Sequence, residues 1–170
     1  YTEMNDSQNR NSIWNDEIRN GAWHSGPIGM YQTEQNTITK VVISEGIEEI
    51  GGYTFSSSVA LKSITIPNSV KVIGSNAFDY NISLTNIELP EKLEKIGYMA
   101  FAKCESLTEI TIPSSVVEVG RNIFTAIPKI TVNVPFKINE KPSTWDDKWN
   151  GQLSISFGTY KGEIIVNYKK

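Results

Sequence analysis

The stretch "SVKVIGSNAF" (residues 69–78) recurs three more times, with small changes, in this chain of 170 residues. The other copies are "GIEEIGGYTF" at 46–55, "KLEKIGYMAF" at 92–101 and "SVVEVGRNIF" at 115–124. Their glycines, each 23 residues after the one before, are Gly51, Gly74, Gly97 and Gly120. Because a period of roughly 20–50 residues is typical of solenoids and related arrays, this repeat decides the fold.

Each repeat begins with the pattern of a short strand. The aligned units span 38–60, 61–83, 84–106 and 107–129. Their fourth and sixth positions are apolar, and the fifth position between them is polar in every unit but the first, where it is Val42. Alternation with a period of two indicates a strand with one buried face. Pro67, Pro90 and Pro113 follow directly in three of the units. Because proline lacks an N–H donor, we predict that each strand ends there.

The second half of each repeat contains the glycine and a phenylalanine. We predict that the glycine either adopts a positive φ or lies very close to a neighbouring backbone. The residues after it are predicted to form a single helical turn whose phenylalanine points inward (Phe55, Phe78, Phe101 and Phe124). Ile123 is larger than its counterparts in the other units, which indicates the edge of the array.

A unit of 23 residues cannot enclose a core alone, but stacked copies can. Four or five strands about 4.8 Å apart would make a sheet roughly 20 Å across, and it would be parallel because every unit runs the same way. The predicted fold class is therefore α/β. The predicted architecture is a right-handed solenoid with one short parallel strand, turns and a helical turn in each 23-residue repeat.

The repeat pattern "LxxIxIPxxVxxIGxxAFxxCxxL" resembles the bacterial BspA-like leucine-rich repeat family. Leu84 to Leu107 fits it nearly residue for residue, including Cys104. Ser58 and Asn81 occupy the cysteine position in the first two units, so we do not predict redox chemistry there. The resemblance implies a leucine-rich-repeat-like fold, an exported or cell-surface bacterial protein, and a role in adhesion or protein–protein contact. It implies no catalytic residues in the repeat.

The resemblance continues more weakly past residue 129 and defines the predicted domains. The apolar residues at the first, fourth and sixth positions (columns) of the repeat recur at Ile127, Ile130 and Val132, which predicts a fifth strand. The segment "KPSTWDDKWNG" (141–151) looks like the one that closes such arrays. We therefore predict an N-terminal cap or linker at 1–37, a solenoid of four repeats plus a fifth strand at 38–132, and a C-terminal cap at 133–170. We also predict a short helix from Ser12 to Arg19, and a hairpin of "QLSISFG" and "EIIVNY" around Gly158–Gly162.

Trp145 and Trp149 are four residues apart, so one helical turn would place both on the same side. They are interpreted either as a plug for the end of the core or as aromatic platforms for a sugar ring. Asp146 and Asp147 lack the alternating oxygen ligands of a calcium loop, and they fit capping or solvated positions better.

Composition excludes several function classes. A net charge of −3 is too small and too mixed to argue for nucleic acid, which needs a basic face. No apolar run is long enough for a membrane span. The single cysteine, Cys104, rules out an internal disulfide, and with a single histidine, His24, there are too few ligands for the usual zinc site. Neither a nucleophile elbow nor a phosphate-binding loop is present, so the chain is not expected to be an enzyme or to bind a cofactor. It begins at Tyr1, which indicates a processed or truncated piece, so the predicted extracellular or surface location rests on the resemblance.

The remaining candidates for binding are strand residues that point away from the core, on the face predicted to be concave. They are Lys40, Val42, Ser63, Thr65, Asn86, Glu88, Glu109 and Thr111, and the variable positions after the strands are Glu45, Asn68, Glu91 and Ser114. We expect a protein partner, from the host or from bacteria, on this face. The alternatives are a carbohydrate-binding module that uses the C-terminal tryptophans, and a structural spacer in a larger surface protein.

Overall fold

The structure is a computed structural model that describes residues 38–150 and 162–169, together with the backbone of residues 12–13. These residues form a parallel β-solenoid of about four turns, which confirms that part of the predicted architecture. The strands are β1 (Ser12–Ile13), β2 (Lys40–Val42), β3 (Glu49–Ile50), β4 (Ser63–Thr65), β5 (Val72–Ile73), β6 (Asn86–Ile87), β7 (Lys95–Ile96), β8 (Glu109–Thr111), β9 (Glu118–Val119), β10 (Lys129–Asn133) and β11 (Glu163–Asn167).

Two faces of the solenoid carry strands. The front face consists of the three-stranded sheets β2–β4–β6 and β11–β10–β8, and β6 lies next to β8. The rear face is one five-stranded sheet in the order β1–β3–β5–β7–β9. All of these strand pairs are parallel, as predicted, and among the four repeats they join residues 23 apart, such as Val41 with Ile64. From β8 to β10 the step is 22, since Val132 pairs with Ile110, so the predicted register with Ile130 in the fourth column is wrong by two residues. The prediction of one strand per repeat is wrong, because each repeat contributes a second, two-residue strand to the rear face.

The helical turn predicted after each repeat glycine is also wrong, since no helix occurs within the described ranges. In the first repeat, alternate N–H groups donate to carbonyls of the next turn, at 3.0 Å from Tyr53 to Ser75, 2.8 Å from Phe55 to Ala77 and 2.7 Å from Ser57 to Asp79. The N–H groups between them donate to the carbonyl three residues earlier in their own turn. An α-helix needs each N–H to reach the carbonyl four residues back. Half of the donors are instead used to join neighbouring turns.

This backbone path requires left-handed residues that are not glycine. Two positions in each repeat, the sixteenth and the twentieth, have φ between 52° and 62°. They are occupied by Tyr53, Ser57, Asn76, Tyr80, Met99, Lys103, Asn122 and Ala126. A left-handed L-residue costs roughly 1–2 kcal/mol, with asparagine among the most tolerant residues. We infer that the hydrogen bonds between turns offset this cost.

The repeat glycines are explained by close approach. A Cβ atom built on Gly74 would lie 2.5 Å from the backbone nitrogen of Gly52, far inside van der Waals contact. A Cβ on Gly120 would lie 2.7 Å from the backbone nitrogen of Tyr98. Neither glycine has a positive φ. Of the two predicted explanations, close approach is therefore confirmed for these turns and positive φ is wrong.

A column of phenylalanines fills the core between the two faces. Phe55, Phe78, Phe101 and Phe124 stack with successive ring-centroid distances of 5.5, 5.5 and 6.0 Å. The last three rings are fully buried, whereas Phe55 at the first turn is half-buried. The prediction that these rings point inward and stack is confirmed.

Two tryptophans cover the C-terminal end of this column. Trp149 meets Phe124 edge-on at 6.4 Å between ring centroids, and Trp145 meets Trp149 edge-on at 5.3 Å. Phe136 packs on the other side of Trp145 at 5.0 Å. The backbone of Trp145 also forms a parallel bridge with Val119 of β9. Residues 145–149 therefore extend both the rear face and the aromatic column by one step, without a helix.

The predictions for the two ends of the chain are confirmed in part and wrong in part. The helix predicted from Ser12 to Arg19 is wrong at its first two residues, which form β1, and the rest of it lies outside the described residues. The strand predicted in "EIIVNY" is present as β11, but it pairs in parallel with β10. The other arm of the predicted hairpin lies outside the described ranges. The domain boundaries after residues 37 and 132 remain predictions.

Candidate functional site: a groove on the front face

The eight predicted binding residues lie at outward positions of the front face. Parallel pairing places Lys40 opposite Ser63 and Ser63 opposite Asn86, and the same register places Val42 opposite Thr65. The intervening residues, such as Ile64 and Ile110, are buried in the core. Seven of the eight side chains are exposed and Ser63 is half-buried. The alternation of the strands therefore brings these side chains into adjacent rows.

Five of the eight line a shallow groove with a volume of about 850 Å³. They are Thr65, Asn86, Glu88, Glu109 and Thr111. The other three, Lys40, Val42 and Ser63, belong to β2 and β4 and do not line it. The structure thus brings together the residues of the second, third and fourth repeats, and it leaves those at the first strand outside the groove.

The segments that follow the strands form one wall of this groove. Three of the four variable positions noted there, Glu45, Asn68 and Glu91, line it, whereas Ser114 does not. The wall is otherwise apolar and is built from Ile66, Pro67, Leu89, Pro90 and Pro113. From the sequence, these prolines predict only the end of each strand. Their fixed place in the repeat could also have identified them as a continuous ridge.

Hydrogen bonds between turns hold this wall in place. The backbone N–H of Glu91 donates to Oδ1 of Asn68 at 3.3 Å, one repeat earlier. The N–H of Gly46 donates to the hydroxyl of Ser69 at 3.0 Å, also one repeat away. Because each turn segment is tied to its neighbour, the wall is ordered before any ligand arrives.

The charge of the groove has one sign. Its lining contains the glutamates 45, 88, 91 and 109 and no lysine or arginine. Glu109 accepts a hydrogen bond from the side-chain amide of Asn133 at 2.8 Å. Within the part of the chain that the structure describes, Glu45, Glu88 and Glu91 form no ion pair.

A row of polar side chains extends the front face beyond the predicted residues. The amide of Asn133 in β10 also donates to the hydroxyl of Thr111 at 3.2 Å, and the amide of Asn167 in β11 donates to Oδ1 of Asn133 at 2.9 Å. Asn133 pairs with Thr111, so a correct register of the fifth strand could have pointed to it, but the predicted columns place Thr131 there instead. Asn167 could not be found in this way, because β11 lies outside the repeat pattern.

The sugar-platform interpretation of the two tryptophans is wrong. Trp145 is 1% exposed and Trp149 is 5% exposed, so neither ring face is open to a sugar. The indole N–H of Trp145 donates to the backbone carbonyl of Val116 at 3.3 Å, which satisfies its polar atom internally. Both rings instead form the plug of the alternative interpretation.

Other titratable groups lie away from the groove. The Cys104 thiol is fully buried and donates to the carbonyl of Phe78 at 3.2 Å, and burial raises its pKa well above the usual range. Asp146 lies 3.7 Å from Arg121, and Asp147 lies 3.2 Å from Lys141.

Over the described ranges no three acidic, histidine or cysteine side chains cluster as metal ligands would, and His24 lies outside those ranges. Nor do those ranges contain a helix long and apolar enough to cross a membrane.

Comparison with known proteins assigns the repeat to a family. The family model described as "BspA type Leucine rich repeat region (6 copies)" matches residues 27–144. This match covers more than half of the chain and extends beyond the four repeats on both sides. A search of curated protein sequences found no match.

Three solved structures share the fold. A leucine-rich repeat protein of T. pallidum, TpLRR, is 28% identical with a TM-score of 0.58, over 60% of this chain and 49% of that protein. A leucine-rich repeat protein of Bacteroides ovatus is 35% identical with a TM-score of 0.54, over 58% of this chain and 25% of that protein. The pneumococcal vaccine antigen PcpA is 21% identical with a TM-score of 0.54, over 79% and 37% respectively. The chain therefore spans about half or less of each.

Proposed function

Because the chain belongs to the BspA-type leucine-rich repeat family, we propose that it is a non-enzymatic module that binds a protein partner in the front-face groove. Repeats of this family suggest a protein-interaction or structural role in bacterial proteins, and such solenoids are generally non-enzymatic. Stacked repeats give extended surfaces that can be varied without changing the core. The outward residues that line the groove differ from one repeat to the next.

The observation that carries the proposal is a contrast between the rear face and the groove. On the rear face, Lys71 pairs with Glu48 at 3.5 Å and Lys95 pairs with Glu118 at 2.7 Å, so charges of neighbouring turns satisfy each other. In the groove, four carboxylates lie beside an apolar wall with no cation among the lining residues. A surface with unpaired charge next to apolar atoms gains more from a partner than a surface that is already neutralised.

We also propose that the partner is a protein of the host or of bacteria, and that the parent protein is exported or exposed at the cell surface. The support is family membership, together with a vaccine antigen among the proteins of the same fold. Adhesion is one role consistent with this location. Detection of the intact parent protein on unpermeabilised cells with an antibody to the solenoid would test it, and a signal seen only after permeabilisation would overturn the location.

A structural spacer is the competing function, and a display experiment separates the two. Purified protein is panned against a random peptide library, and enriched peptides are tested on Thr65→Arg, which fills the groove. Val117→Arg, at an exposed position on the segment leading into β9, is the matched control. Selective peptides that bind the wild type and Val117→Arg but not Thr65→Arg support the interaction module. A library that yields no selective peptide supports the spacer.

A further inference from the structure

The lining of the groove carries negative charge that no lining residue compensates. Its glutamates come from the first, third and fourth turns, and no lining residue carries a positive charge. They sit in a concave site, where low-dielectric walls strengthen the field of like charges. A ligand that brings positive charge would remove this repulsion, whereas an anionic ligand would add to it.

The carboxylates are spread along the groove and do not converge on one point. Neighbouring turns are about 4.8 Å apart, so Glu45 and Glu91, two turns apart at the same position of the repeat, are roughly 10 Å apart along the solenoid axis. Within the described residues no three acidic groups form a cluster that could hold a metal ion. Several separate cationic side chains therefore fit this spacing better than one small cation.

The wall that carries Glu45 and Glu91 is otherwise largely apolar and lacks hydrogen-bond donors at its prolines. Ile66 and Leu89 are only half-buried, and Pro67 and Pro90 have no N–H to offer a ligand backbone. A ligand here would be held by side chains, with apolar groups against the wall and charges against the carboxylates. Pairing of the ligand backbone as an added strand is disfavoured, since the groove lies on a face of the sheet and not at its edge.

The dimensions define the length of the ligand. The lining runs from Ile43 in the first turn to Pro113 in the fourth, which is three steps between turns or about 14 Å. An extended chain advances about 3.3 Å per residue, so about four residues fill the groove.

We propose that the occupant of the groove is a short, extended, positively charged segment of a partner protein, with lysine or arginine side chains alternating with apolar ones. This inference rests on the proposed function and names the chemistry of the partner. The cationic side chains pair with Glu88, Glu91 and Glu109, and the apolar side chains lie against Leu89 and Ile66.

The test uses three end-blocked probe peptides of five residues: Lys-Leu-Arg-Leu-Lys, Gln-Leu-Gln-Leu-Gln and Glu-Leu-Glu-Leu-Glu. Binding is followed by NMR titration of the whole chain. The basic peptide is expected to shift the amides of Thr65, Asn86 and Thr111, and its affinity should fall as salt rises from about 50 to about 300 mM. The neutral peptide should bind more weakly and the acidic peptide not measurably.

Two double variants remove equal charge from different surfaces. Glu88→Gln with Glu91→Gln should weaken binding of the basic peptide by about tenfold, because two of the three carboxylates that pair with its cations are lost. Glu94→Gln with Glu105→Gln, at exposed positions outside the groove, should leave its affinity within about twofold. Equal weakening by both pairs would overturn the groove as the site.

The outcomes also separate this inference from the proposed function. If the library yields neutral or acidic peptides that Thr65→Arg excludes, the groove is an interaction site and the inferred charge of its partner is wrong. If neither library nor basic probe engages the groove, both proposals fail.

Discussion

Gly97 lies so close to the preceding turn that a Cβ atom on it would come 2.5 Å from the backbone nitrogen of Ser75. The same contact recurs in the next turn, between Gly120 and Tyr98. Both sides of the contact are backbone, so no side chain can rotate away to make room. The glycine is therefore required by the spacing of the turns.

Gly97→Ala should destabilise the protein by about 3 kcal/mol, because the new methyl group forces neighbouring turns apart. Urea denaturation followed by circular dichroism measures this loss. Gly46→Ala is the control, since Gly46 has φ of +97° but nothing within 4 Å of its Cβ position. It should cost only about 1 kcal/mol of backbone strain. A larger loss for Gly46→Ala would contradict the close-approach explanation.

Phe78→Ala should cost about 3–5 kcal/mol of unfolding free energy, because the ring is fully buried and stacked on both sides. Phe55→Ala should cost clearly less, because Phe55 is half-buried at the first turn. Chemical denaturation of both variants gives the comparison. Equal losses would show that the burial of a ring in the column does not set its contribution to stability.

Ala126→Gly should stabilise the protein by about 0.5–1 kcal/mol. Ala126 has φ of 61°, where its Cβ atom crowds the backbone, and glycine has no Cβ atom to cause this strain. Ala77→Gly is the matched control. Ala77 is buried without a positive φ, so the same change there should cost about 1 kcal/mol or more. Differential scanning calorimetry should show melting temperatures that move in opposite directions. A fall in both would mean that the left-handed residue carries no strain.

Asp79 should make stability depend on pH. Burial raises the pKa of its carboxyl, and Lys103 and the backbone N–H of Tyr80 offset this only in part. Oδ1 is buried without a hydrogen-bond partner and lies 4.0 Å from Nζ of Lys103. At neutral pH the ionised carboxylate is therefore higher in free energy in the folded state than in the unfolded chain, and it lowers the stability of the protein. Asp79→Asn should be more stable than the wild type at pH 7.

The sign of the pH effect follows from that raised pKa. As pH falls from neutral toward the ordinary value of 3.8, the folded wild type binds its proton first, so the advantage of Asp79→Asn should shrink and then level off. Lys103→Met removes the compensating charge and should steepen the dependence. Urea midpoints measured between pH 7 and pH 3 check this. An advantage that grows toward acid would show that the folded pKa is lowered.

The features that could be predicted are those set by one column of the repeat. The inward Phe78, the tight Gly74 and the parallel register of Ile64 each follow from residue type and spacing. The second strand was missed because two residues such as Val72 and Ile73 are too few to show alternation. The turn after Gly51 was mistaken for a helix because its N–H groups find acceptors in the next turn, which no local pattern reveals.

The candidate site, too, could be predicted only in part from the sequence. Thr65, Glu88 and Thr111 were correctly placed outward by alternation, but the sequence could not say that Lys40 and Val42 lie beside the groove. It also left two interpretations of Trp145 open, and only the packing against Phe136 and Trp149 decided between them.

By itself, the sequence determined the 23-residue period, the residues that face the core and the set of side chains that face outward. The tertiary structure alone decided which outward side chains share a groove, which charges are paired and which backbone groups bond across turns. The physical reason is stacking: turns about 4.8 Å apart make neighbours of residues a whole repeat apart. Their contacts depend on both turns at once.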